Sequence, residues 1–297
     1  MVKEQKMKKE NNLGGRKMEE NNQTQQNIPG VKVEENKEIL PDIHNIKQKE
    51  SFTIPSRGIV YKAEENIPES ITLRRMTTKE EKIRLRNQSE TEIIRDLLQA
   101  CILNERVDAG NLKLMDANYL LFKLRIISLL DDKYKVRVRC PHCGAEFIHE
   151  LNLSEIPVNY VEQDILKNLS VKLPITQQVV TIRYPSLNDL IKSGKKLEEY
   201  FNMFPNTDRM SAVISASEQL SIDTINGQSL MSEEISDWYD NLDIVDYKAL
   251  QQVIRKLDNT YGFDDNIKTL CPKCNKEVTH GLPITGELFN PSFEDVK

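Results

Sequence analysis

Hydrophobic residues fall into structural periods only after residue 50. Residues 1–50 are rich in Lys, Glu, Asn and Gln, with few apolar positions and no repeat. Such a stretch buries too little apolar surface to offset the entropy of ordering, so it reads as a disordered leader. Order is expected to begin near Phe52, where Ser51 to Gly58 ends in a Pro-x-x-Gly turn signal. Ile71 to Met76 alternates apolar and polar residues, the pattern of a strand. Thr77 or Thr78, followed three residues on by Glu80 or Glu81, forms a capping box that opens a helix. Ser89 and Glu92 repeat that signature before a helical stripe of Ile93, Ile94, Leu97, Leu98, Cys101 and Ile102. Asp116 is the expected cap of a third helix carrying Leu120, Leu121, Leu124 and Ile127. The tandem helices should pack together over a small sheet. Tyr134, Val136 and Val138 alternate into Cys140, and Phe147 to Leu151 leads away, so two strands flank the first Cys-Pro-x-Cys.

About 130 residues separate that motif from the second one at Cys271. This length is far beyond a structureless loop, so the insert must fold. Val179 to Tyr184 reads as a strand; Leu187 to Phe204, Asp208 to Leu220, Ser232 to Tyr239 and Asp243 to Leu257 read as helices. Ser186, Thr207, Ser232 and Asp243 are the expected caps. Ile267 to Leu270 is a strand entering the second motif, and an apolar, proline-bearing tail runs from Leu282 to Phe293. Phe289 and Phe293 there are candidates to dock into a neighbour, against the alternative of a frayed terminus. The expected divisions are a disordered leader at 1–50, a helical and strand region with the first knuckle at 51–155, a mostly helical insert at 156–264, and the second knuckle with the tail at 265–297. The fold class is α+β, a helical hairpin on a small antiparallel sheet with a zinc ribbon.

The chemistry lies in the cysteines. Four of the five fall in two copies of one unit, Cys140 to Leu151 and Cys271 to Leu282, which align without gaps in cysteine, proline, glutamate, histidine and leucine. Gly144 and Asn275 follow the second cysteine of each copy, and both residue types adopt left-handed backbone readily. The turn then aims backbone N–H groups at the thiolates. Each knuckle offers half of a four-thiolate shell, so Cys140, Cys143, Cys271 and Cys274 are read as ligands of one structural Zn2+. A redox Cys-x-x-Cys, paired disulfides, or two Cys-Cys-His sites using His149 and His280 are the competing readings. His142 inside the first knuckle is matched by Lys273 in the second and is expected to be exposed. Cys101 belongs to a core stripe.

Net charge is −5 and aromatics are 6%, which gives no electrostatic reason to expect nucleic acid. No apolar run reaches membrane-spanning length, and the N-terminus lacks the apolar region of a secretory signal, so the expected location is the cytoplasm of the cell that makes it. No phosphate loop, zincin motif or nucleophile elbow occurs, and acidic pairs such as Asp131-Asp132 and Asp264-Asp265 sit beside turns. The expectation is a binding or assembly protein, not an enzyme. A zinc-ribbon nucleic-acid-binding or transcription-associated protein, using Lys135, Arg137 and Arg139, is the alternative.

The order of the pieces carries a resemblance. A Pro-Ser-Arg-Gly turn at Pro55 to Gly58 precedes Tyr61. Ile-Thr-Leu-Arg-Arg-Met-Thr-Thr-Lys-Glu-Glu-Lys runs from Ile71 to Lys82, and Asn-Tyr-Leu-Leu-Phe-Lys-Leu-Arg-Ile from Asn118 to Ile126. Gly286-Glu-Leu-Phe-Asn-Pro291 closes the set. Over residues 52–155, and in outline over 266–293, the chain resembles the baseplate hub protein family of T-even-like contractile-tailed bacteriophages. The resemblance implies a non-enzymatic role in building the centre of the tail baseplate. Other baseplate or tail proteins would be its partners, the host cytoplasm its place of assembly and the virion tail a possible destination. The helical insert carries no part of the resemblance, and the leader departs from it.

Overall fold

A computed structural model describes residues 49–257, 260–264, 266–282 and 286–289. The expected leader lies outside them except for Lys49 and Glu50, which already belong to a strand. Among the described residues are seven α-helices and eleven strands, all in small antiparallel sheets.

Strand β1 (Lys49–Thr53) pairs with β2 (Ser70–Arg74), whose Ile71 and Leu73 face the core. Helix α1 (Thr78–Arg84) starts at Thr77 with Glu80 as its capping-box partner, and α2 (Glu90–Cys101) starts at Ser89 with Glu92, as the sequence predicts. Glu80 does more than cap. It accepts from Arg74 at 2.8 Å, and Arg74 also donates to the Ala100 carbonyl at 2.6 Å, fastening β2 to the end of α2. Burial opposes its charge, but the hydrogen bonds from Arg74 and Thr77 win and hold its carboxyl down to about 2.

Helix α3 (Leu114–Leu129) is buried on most sides, with Leu120, Leu121, Phe122 and Leu124 fully enclosed. An apolar helix without a polar face belongs at the centre of a domain, and α3 packs there against α2. The cap position of α3 is Lys113, not Asp116. Asp116 instead faces the Pro-Ser-Arg-Gly turn. It accepts the Ser56 N–H at 3.0 Å and the Tyr61 hydroxyl at 2.7 Å, and Tyr61 in turn accepts the Lys113 N–H at 2.9 Å. The turn itself needs left-handed backbone at Arg57 and Gly58 (φ 50° and 75°), and a Cβ on Gly58 would crowd the Ile67 carbonyl at 3.2 Å. A short-range cap is the natural local role for Asp116. A partner 60 residues away outcompetes it.

Burial raises the Asp116 carboxyl to about 6, against the hydrogen bonds from Ser56 and Tyr61 that favour its charge. An acid whose folded pKa is raised stabilises the fold fully below its unfolded value near ~4 and loses that contribution as pH rises through the folded value. Asp116→Asn cannot ionise. Its stability relative to wild type should therefore rise by about 2–3 kcal/mol between pH 4 and pH 7, read as the difference between paired denaturation curves.

Strands β3 (Lys133–Arg139) and β4 (Glu146–Asn152) form the first cysteine hairpin, and β10 (Ile267–Leu270) and β11 (Glu277–His280) the second. Tyr134, Val136, Val138, Val278 and the tail residues Leu288 and Phe289 share one core with α2, α3 and β2. Phe289 thus packs into its own molecule; Phe293 lies outside the described residues.

The insert leaves through β5 (Val158–Asn159) and returns through β9 (Gly262–Phe263), and these two strands pair with each other. That stem brings the two ends of a long excursion side by side. Phe263 seats it against α3, edge-on to Phe122 with ring centres 4.9 Å apart. Beyond the stem, α4 (Leu187–Met203), α5 (Arg209–Leu220), α6 (Ser232–Asp240) and α7 (Ile244–Leu257) follow the predicted spans closely. Ser186 caps α4 as expected, and Asp243 accepts the Val245 N–H at α7. Asp208 replaces Thr207 at α5, and Met231 occupies the cap position ahead of Ser232 at α6. Between these helices, β6 (Ser170–Lys172), β7 (Val179–Ile182) and β8 (Ile222–Ile225) make a three-stranded sheet in the order β6-β7-β8. Periodicity predicts only the central strand. Val180, Ile182, Ile222 and Ile225 pack on Leu250 and Ile254 of α7 as a second core.

Candidate metal centre

Each knuckle is built by the same backbone chemistry. In the first, Cys140 N–H donates to the Ala145 carbonyl (2.8 Å) and Gly144 N–H to the Cys140 carbonyl (2.9 Å). In the second, Cys271 N–H donates to Lys276 (3.0 Å) and Asn275 N–H to Cys271 (2.8 Å). The residue after the second cysteine is left-handed in both, with φ 70° at Gly144 and 56° at Asn275. Glycine and asparagine tolerate that region best, so the spacing predicts the turn correctly.

The hairpins meet head to head. Cys140 Sγ lies 3.7 Å from Cys274 Sγ, and Cys143 Sγ 3.7 Å from Cys271 Sγ. All four sulfurs lie within 4.8 Å of one another. Tetrahedral coordination at a metal–sulfur distance near 2.3 Å requires sulfurs about 3.8 Å apart, whereas a disulfide requires about 2.05 Å. The cysteines are free thiols at metal-shell spacing. Each Cys-x-x-Cys also leads into a strand, β4 or β11, not into the helix that a redox motif opens.

Electrostatics reinforce the fit. The Cys274 N–H, then that of Lys273, draw the Cys271 thiol down to about 6. Cys143 receives an N–H from Ala145, yet burial and the three neighbouring sulfurs push it up to about 11. The Cys271 thiolate forms readily, whereas burial and the neighbouring sulfurs oppose one at Cys143. A divalent cation at the centre removes that opposition. The donor set therefore fits a soft or borderline metal ion held in a closed shell.

The histidines of the Cys-Cys-His alternative face each other instead. His149 Nδ1 and His280 Nε2 are 2.9 Å apart with rings nearly perpendicular, and neither joins the sulfur group. Burial, and then the facing His280, lower the pKa of His149. Both histidines sit at matched positions on the outgoing strands, so their contact extends the two-fold likeness of the knuckles. Sequence reasoning places them on those strands but not against each other. His142 is exposed, with Nε2 3.3 Å from the Glu277 carbonyl. Cys101 is fully enclosed in the core, and burial lifts its thiol to about 12.

The residues of the nucleic-acid alternative lie on the outward face of β3. Lys135 is opposite Glu150, Arg137 opposite Ile148 and Arg139 opposite Glu146. Carboxylates on the neighbouring strand interleave with the cations, so this face offers no uniformly basic track for a phosphate backbone.

Sequence reasoning misses what fastens the tail. Arg125 of α3 is buried and donates to three backbone carbonyls, each at 2.7 Å: Nε to Leu288, and the two terminal nitrogens to Asp131 and Lys133. Its guanidinium lies 5.4 Å from the centre of the Tyr134 ring. One side chain thus joins α3, the start of the first cysteine hairpin and the turn holding Leu288.

A family model described as T4 bacteriophage base plate protein matches residues 58–290. The chain belongs to that family. The match spans both cysteine hairpins, the Arg125 helix and the insert between them, so the T4 base plate protein family accounts for far more of the chain than the resemblance legible at its two ends. Neither the curated proteins nor the solved structures yield a match. Among the described residues, no helix is long and apolar enough to cross a membrane.

Proposed function

We propose that the chain is a structural or assembly component of the hub of a phage tail base plate, working through protein–protein contacts and not through catalysis. Membership of the T4 base plate protein family carries this reading. The closed geometry of the four sulfurs supports it, because a complete thiolate shell leaves no open position for water or substrate. In this reading Cys140, Cys143, Cys271 and Cys274 hold one structural zinc ion, which locks the two ends of the folded region together. The segment 51–155 and the closing segment 265–297 form the common body. The insert, 156–264, is a module that partner tail proteins recognise. Assembly proceeds in the host cytoplasm, and the finished product sits in the virion tail.

The experiment is to follow the tagged full chain in cells producing phage particles. It should sediment with base plates or base plate intermediates, and label should map to the centre of the plate. Recovery only as free protein, with normal base plates formed in its absence, contradicts the proposal. Recovery at the plate periphery contradicts the hub assignment alone. The metal assignment has its own check: His149→Asn and His280→Asn should each retain one metal ion per chain by elemental analysis, since neither histidine belongs to the sulfur group.

A further inference from the structure

Away from the sulfurs, the two cysteine hairpins also touch where His149 of β4 faces His280 of β11. Each histidine stands six residues beyond the second cysteine of its knuckle, at most about 20 Å of extended chain. The His280 Nδ1 lies 3.0 Å from the Gly281 carbonyl, which only accepts, so that nitrogen carries a proton. In the neutral ring Nε2 then offers a lone pair, and His149 Nδ1–H donates to it at 2.9 Å. Among the described residues, His149 Nε2 has no partner. The inner strand faces beside the pair carry Tyr134, Val136, Phe147, Leu151, Ile267 and Val278, of which only Tyr134 titrates. The charged residues of the four strands (Lys133, Lys135, Arg137, Arg139, Glu146, Glu150, Lys268 and Glu277) alternate onto the opposite faces. Glu150 and Glu277 are paired there with Lys133 and Lys268 of their own hairpins, at 3.3 and 3.5 Å. The two rings therefore answer chiefly to each other.

We propose that this pair is a proton-sensitive latch between the hairpins, closed while the rings hold at most one added proton and open when each carries its own. The first added proton enters at His149 Nε2 and leaves Nδ1–H donating, now as a charge-assisted bond. The second can only take the lone pair of His280 Nε2. That removes the acceptor and sets two cations against each other. The closed pair thus binds one proton fewer than two free histidines, which titrate near ~6.5. Its contribution to joining the strands is whole above that value and is lost as pH falls below it. At pH 5.5, opening should be favoured about ten-fold more than at pH 7.5. The sulfur end stays fastened, so the change is local to the far end of the hairpins. The inference needs neither the identity of the metal nor the hub assignment.

Amide hydrogen exchange on the full chain as purified with its metal, at pH 7.5 and 5.5 and corrected for the intrinsic effect of pH, tests it. Protection of the β4 and β11 amides around His149 and His280 should fall about ten-fold at the lower pH. Protection of β7 in the insert, and the metal content, should stay unchanged. In His280→Gln the amide oxygen accepts the same N–H and cannot titrate, so the fall should disappear. In the wild type, nuclear magnetic resonance should show the two rings taking up their protons in two separate steps. A single common step at the ordinary histidine value overturns the proposal. So does equal protection at both pH values, a fall that appears only with loss of metal, or one that recurs in His280→Gln.

Discussion

Cys271→Ser should abolish metal binding and destabilise the protein by about 4–5 kcal/mol. The expectation follows from where this sulfur sits. It lies 3.7 Å from Cys143 on the other hairpin, is buried, and is the thiol that backbone donors most favour as thiolate. A serine hydroxyl neither ionises at neutral pH nor matches the longer metal–sulfur bond. The loss propagates because the four ligands come from segments separated by the entire insert, so binding energy at the metal is folding energy for both hairpins. A strong chelator should reproduce the effect in wild type, and added zinc should reverse it. Cys101→Ser is the control. It should cost about 1–2 kcal/mol for an unpartnered buried hydroxyl and leave the metal stoichiometry at one. Denaturant titration with elemental analysis on the same samples reads both numbers.

Arg125→Met should destabilise the protein nearly as much, by about 4 kcal/mol, although methionine fills much of the same space. The loss lies in the partners. Removing the guanidinium strands three carbonyls that share it, those of Leu288, Asp131 and Lys133. Leaving a buried acceptor unmade costs about 1–3 kcal/mol; the Leu288 contact is buried and the other two are part-buried, so Leu288 carries the larger share. Burial works against the arginine's charge, while Asp131 and Asp132 and the Tyr134 ring favour it. Lysine keeps the charge but cannot fork to three acceptors, so Arg125→Lys should recover less than half of the loss. Hydrogen exchange gives the distinguishing signature. In both variants, amides around Leu288 and at the start of β3 should lose protection before those of β7 in the insert.

What is legible in the sequence divides along physical lines. Local codes read well: the capping boxes at Thr77 and Ser89, the cap at Ser186, the left-handed turns at Gly144 and Asn275, and the alternation of β3 each depend on residues close together in the chain. The four cysteines are legible because the unit around them repeats, and two half-shells of thiolate complete one tetrahedron when they meet. Residues serving distant partners are not. Asp116 has the composition of a cap but binds the Ser56 turn. Arg125 sits inconspicuously in an apolar helix, since nothing in its neighbours announces three carbonyls from two other segments. The same holds for β5 and β9, two residues each. Their existence depends on the insert closing on itself, which is a property of the fold and not of either dipeptide.

X-ray absorption at the zinc edge, on protein purified without added metal, measures the ligand shell itself. Four sulfur neighbours at about 2.3 Å, one zinc per chain, is the expected spectrum. An absent edge, or a shell in which nitrogen or oxygen replaces any of the sulfurs, would mean that the two hairpins do not close on a common ion.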